Sequence, residues 1–140
     1  MLKKNNIKVE NNILHFVYDD RKISIDLDQL EMVYIYKDCA CFYENGKRTD
    51  VNDVFIELLE IVMKNSNFVR CGHYHLINVN FIDYINVEKN DFTDKYYVVV
   101  TFKNGTKEEI STYSWVKANQ LCTTINNKWQ KIKYIQELTN

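Results

Sequence analysis

Phe68-Val69-Arg70-Cys71-Gly72-His73-Tyr74-His75-Leu76-Ile77-Asn78 is the most distinctive stretch of the 140-residue chain. It sets polar aromatics and one arginine between apolar ends. If the segment is extended, Cys71, His73 and His75 project from one face, because side chains alternate along a strand. Cys and His on one face can ligate zinc, and Cys39 with Cys41 repeats the pattern in another segment. The spacing is not that of a standard zinc module, so a weakly charged surface patch is preferred and no metal or cofactor is expected. Arg70 has two readings: its planar fork can hold a phosphate or a guanine edge, or it can pair with a carboxylate such as Asp83. Asn78 reads as a turn or strand-end residue before it reads as a base contact.

Upstream of this stretch, Phe55, Leu58, Leu59 and Val62 recur at helical spacing with Glu57, Glu60 and Lys64 opposite, which predicts an amphipathic helix over Asp53 to Asn65 capped by Asn52. Before it, Met32 to Tyr36 and Cys39 to Tyr43 read as strands. Asn45-Gly46 then turns the chain into Lys47 to Val51, since both residues accept positive φ. Ile13 to Asp26 alternates around Asp19-Asp20-Arg21 as an opening hairpin. Downstream, Ile82 to Val87 is a strand, Asn90, Asp91 and Asp94 mark a turn, and Tyr96 to Phe102 is apolar on both faces, as a central strand should be. Lys103-Asn104-Gly105-Thr106 turns into Lys107 to Ile110, so two similar hairpins each lead into a helix. The last helix places Ala118, Leu121, Cys122, Ile125, Trp129, Ile132 and Ile135 three or four apart. It starts from a cap at Ser111, Thr112 or Ser114, and a break is expected near Asn126-Asn127. Trp115 and Trp129 read as core or interface anchors.

Composition agrees with sheet. Aromatics form 14% of the chain, Pro is absent and Gly occurs 3 times, so no linker is legible and one domain over residues 1–140 is expected. No run is long or apolar enough to cross a bilayer, and Met1 to Asn12 has no signal-peptide apolar region. Four cysteines without an export signal suit the reducing cytosol, so the protein is expected to be cytoplasmic and away from membranes. The net charge of −1 does not advertise a nucleic-acid binder, for which a basic footprint is usual. Residues 67–140 carry 9 Lys/Arg against 7 Asp/Glu, while residues 1–66 carry 9 against 12. No Ser/His/Asp arrangement, Gly-rich phosphate loop or nucleotide fingerprint is present, and an enzyme is not expected.

Phe68, Arg70, Leu76, Ile77, Asn78 and Ile82 match in order the signature of LytTR domains, which runs Phe, any residue, Arg, any residue, His-Arg-Ser, an aromatic, two aliphatics and Asn, then Ile. The chain resembles that family over residues 23–118, with residues 114–138 as a helical extension. The resemblance implies a mainly β, elongated LytTR-like domain of antiparallel sheets with one internal amphipathic helix and a C-terminal helix. It also implies a transcriptional regulator, here without a receiver domain, that binds direct repeats in bacterial promoter DNA through loops set in successive grooves. The contact positions depart from the pattern: Gly72-His73-Tyr74 stands for His-Arg-Ser, Ser111-Thr112 for Ser-Arg, and the first contact loop is Lys37-Asp38-Cys39. The DNA-contact residues implied are Lys37, Arg70, His73, His75, Asn78, Lys103, Lys107 and Thr112. The alternative is a LytTR-like fold that has lost its DNA contacts and serves as an interaction module, dimerising through the C-terminal helix with Trp129, Ile132 and Ile135.

Overall fold

A computed structural model describes residues 7–52, 56–64, 67–112 and 114–139. Chain contacts divide it into two compact units, Met1–Ile77 and Asn78–Asn140. The architecture is mainly antiparallel β, with one internal helix and one C-terminal helix, as the sequence predicts.

In the first unit, β1 (Lys8–Glu10), β2 (Ile13–Tyr18) and β3 (Arg21–Asp26) form one sheet in that order. β4 (Leu30–Tyr36), β5 (Cys39–Glu44), β6 (Lys47–Val51), β7 (Phe68–Cys71) and β8 (His75–Asn78) form a second, ordered β6-β5-β4-β8-β7. Tight two-residue turns make the hairpins. Asn11-Asn12, Asp19-Asp20 and Asn45-Gly46 all take positive φ, the backbone state that matches the twist of the flanking strands. β1 is a strand that the sequence reading missed, although Asn11-Asn12 is the same kind of signal as Asn45-Gly46. Between the sheets, Leu14, Phe16 and Ile25 meet Val33, Ala40 and Phe42, and Leu58 and Val62 from α1 (Ile56–Met63) join the same core. The expected positions Asp53, Phe55 and Asn65, and the cap contacts of Asn52 to the first turn, lie outside the described residues.

The stretch 68–77 is not one extended segment. It folds back at residues 72–74 into the β7–β8 hairpin, with Gly72 at φ +66°. Cys71, His73 and His75 therefore share no face: Cys71 and His75 are buried and His73 is exposed. Burial pushes the Cys71 thiol up to about 12, so it stays protonated and is a poor ligand or nucleophile.

In the second unit, a single 3₁₀ turn (Val79–Phe81) precedes β9 (Ile82–Lys89), β10 (Tyr96–Phe102), β11 (Lys107–Thr112) and α2 (Trp115–Thr139). β10 is central and buries Val98, Val99, Val100, Thr101 and Phe102, as its two-sided apolar reading requires. Ser114 is the cap of α2: its Oγ accepts from the Lys117 N–H at 3.2 Å. Ala118, Ile125 and Ile132 are buried, and α2 packs on β9, β10, β11 and the 3₁₀ turn. The helix runs unbroken through Asn126-Asn127, because the buried stripe on either side of them holds it on the sheet. The Gln136 amide donates to Asn80 Oδ1 at 3.0 Å, tying the helix end to the 3₁₀ turn.

Candidate nucleic-acid interface

In the first unit, β4 and β8 pair with Met32 opposite Ile77, Val33 opposite Leu76 and Tyr34 opposite His75. The Ile35 N–H donates to the Tyr74 carbonyl at 2.6 Å. This ladder sets the β4–β5 turn, Lys37-Asp38, beside the β7–β8 turn, residues 72–74. Lys37 and His73 are exposed on these neighbouring turns, and the exposed Arg70 reaches them by donating from Nε to the Gly72 carbonyl at 3.4 Å. Among the described residues Arg70 forms no ion pair. The sheet thus brings three of the expected contact residues to one edge.

That edge is also aromatic, which the sequence reading did not anticipate. Tyr36 and Tyr74 are 54% and 50% exposed. The Tyr74 ring lies 6.3 Å from both Tyr34 and His73, and Lys37 Nζ lies 5.4 Å from the Tyr36 ring centre. His75 supports this layer from within, edge-on to Tyr34 at 5.1 Å, and it is not presented to solvent. The glycines carried the missing signal, because Gly46, Gly72 and Gly105 all sit at positive φ and each marks a turn.

Lys37 holds φ +56°, where a side chain other than Gly or Asn is costly by about 1–2 kcal/mol. Relief of that cost in Lys37→Gly is offset by backbone entropy of about 0.5–1 kcal/mol and by loss of a cation–π contact of similar size. Lys37→Gly should therefore leave stability within about 0.5 kcal/mol, whereas Lys37→Val, β-branched at positive φ, should lose at least about 1 kcal/mol. Urea titration of the two variants checks this, and equal midpoints would contradict the strained turn.

The other expected residues belong to the second unit and do not form one cluster there. Lys103 and Lys107 are exposed near the β10–β11 turn, where the Lys103 N–H donates to the Phe81 carbonyl at 2.8 Å. Thr112 stands opposite Tyr96 while Lys107 stands opposite Thr101, so they occupy opposite ends of the ladder, roughly 17 Å apart at about 3.4 Å per residue. Thr112 Oγ1 donates to the Tyr96 carbonyl at 2.8 Å. Asn78 is 1% exposed and caps the 3₁₀ turn, its Oδ1 accepting from the Asn80 N–H at 3.0 Å.

A solved structure is similar in fold: the LytTr DNA-binding domain of a methyl-accepting/DNA response regulator from Bacillus cereus. The match has a TM-score of 0.52 and 15% identity, and covers 73% of this chain and 88% of the other. The fold is that of a LytTR domain. No protein-family model matches the sequence, and no curated protein matches it either. The LytTR likeness is therefore one of fold. Among the described residues, no helix of this LytTR fold is long and apolar enough to cross a membrane, and no group of three or more His, Cys, Asp or Glu is placed to hold a metal ion.

Proposed function

We propose that the chain is a DNA-binding regulator that contacts promoter direct repeats through the paired turns at Lys37 and His73, with Arg70 between phosphate and base edge. The carrying observation is the exposed edge on which Lys37, Arg70, His73 and Tyr74 lie together, in a fold shared with a DNA-binding domain. Two adjacent turns on a rigid sheet can enter a major groove, where base edges present the full donor and acceptor code, without a recognition helix. Few cations lie there, so affinity is modest. The half-exposed tyrosines add apolar contact, which suits thymine methyl groups.

The test compares wild type with Arg70→Ala/His73→Ala on promoter fragments carrying direct repeats, by fluorescence anisotropy over a salt series. Loss of a base contact lowers affinity about tenfold or more, and loss of one phosphate contact lowers the salt slope by about 1. If the double variant binds as tightly as wild type, or if neither binds at low salt, the reading is wrong. The rival is an interaction module built on α2, favoured by Tyr134, Ile135 and Leu138, which are 62%, 48% and 68% exposed near the helix end.

A further inference from the structure

We propose that the groove between β3 and β6 in the first unit binds phosphate groups, with the backbone of the DNA held at the Lys37 and His73 turns as their source. Among the described residues, β3 and β6 are each the outermost strand of their sheet, so each has one side without a strand partner. The two sheets stack through Phe16 and Phe42, whose ring centres lie 6.2 Å apart. They are pinned at both ends: the Asp26 N–H donates to Glu44 Oε2 at 2.9 Å, and the Asn52 N–H donates to the Tyr18 hydroxyl at 3.2 Å. Between these pins the two edges border a groove of about 380 Å³ lined by Arg21, Lys22, Lys47 and Arg48, with Asp50 the one acid in its lining.

That charge is segregated. Residues 1–66 carry 9 Lys/Arg and 12 Asp/Glu, and residues 67–77 add Arg70 and no acid, so 10 cations face 12 carboxylates over the unit. Four of the ten converge on this groove. Arg48 is already committed, its Nε 2.7 Å from Asp50 Oδ1 and its guanidinium 5.7 Å from the Tyr43 ring centre. That hydrogen bond holds the Asp50 carboxyl below the usual carboxylate range, so the pair is internally neutral. Arg21, Lys22 and Lys47 are exposed and, among the described residues, form no ion pair. Cations on outer strands also guard against edge-to-edge aggregation. Guarding explains a charge on each edge but does not require cations from two sheets to converge across one groove.

The source of the phosphate rests on the DNA-binding reading; the groove itself does not. The test uses the full chain with Arg21→Gln/Lys22→Gln/Lys47→Gln. A control variant, Lys128→Gln/Lys131→Gln/Lys133→Gln, makes the same change in net charge on α2. Sodium tripolyphosphate is titrated by calorimetry at low salt, and the duplex by anisotropy across salt. The groove variant should lose tripolyphosphate binding at least tenfold. Its duplex salt slope should fall by about 2–3, at about 0.9 per phosphate contact. Its preference for promoter over scrambled duplex should not change, because phosphate contacts carry no sequence information. The control should match wild type in every readout. If wild type binds tripolyphosphate through the groove but no duplex, the groove stands as a site for free polyphosphate and the DNA reading falls. If the groove variant and control shift equally, or neither shifts, the groove proposal is overturned and the cations are edge guards.

Discussion

Truncation after Asn126 should unfold the Asn78–Asn140 unit. Ile132 is 9% exposed and Trp129 is half-buried, and removal of a buried aliphatic side chain alone costs about 2–5 kcal/mol. Loss of Trp129 and of the Gln136–Asn80 hydrogen bond adds to this. Against a typical total of about 5–15 kcal/mol, such a loss leaves little margin. The three residues expected to dimerise divide by burial: Ile132 is buried and Trp129 half-buried, while Ile135 is exposed beside Tyr134 and Leu138. Ile135→Glu/Leu138→Glu should keep the thermal midpoint of wild type, and light scattering on that variant reads self-association separately from folding. A truncated chain with native circular dichroism and an unchanged midpoint would remove α2 from the core. A lighter mass for the Glu variant at unchanged stability would favour the interaction module.

Phe42→Ala should lower the stability of the first unit by about 3–5 kcal/mol, the cost of deleting a buried aromatic ring. Phe42 is fully buried and lies between Val33 and Thr49 in the ladder, with Phe16 6.2 Å away in the facing sheet. A double-mutant cycle with Phe16→Leu should return about 0.5–1.5 kcal/mol of coupling for the ring pair. Phe92→Ala is the internal control: the same residue type, 100% exposed in the β9–β10 turn, should change stability by no more than about 0.5 kcal/mol. Urea denaturation followed by far-UV circular dichroism and Tyr fluorescence reads all three. Similar losses for Phe42→Ala and Phe92→Ala would mean that the two sheets do not share the core described.

Much of the fold was legible in local sequence because the responsible physics is local. Asn45-Gly46 and Asp19-Asp20 accept positive φ, and a two-residue turn in that state sets its own hairpin register. The spacing of Ala118, Ile125 and Ile132 specified a helix with one buried stripe, and the two-sided apolar run Tyr96 to Phe102 specified a central strand. The expected break at Asn126-Asn127 failed because two weak helix formers cost less than packing on the sheet returns.

What tertiary structure alone decided is which distant residues meet. Gly72 marks the turn within residues 68–77 locally, but that β8 then lies against β4, with Tyr34 opposite His75, is a pairing that no local propensity encodes. That pairing buries His75 and Cys71, leaves His73 beside Lys37, and makes a half-exposed tyrosine edge from Tyr36 and Tyr74. The cations of the β3–β6 groove were likewise visible one by one as residues beside two turns. Their convergence required two sheets to stack through Phe16 and Phe42, because burial of apolar area is non-directional and only the packed core fixes which edges face each other.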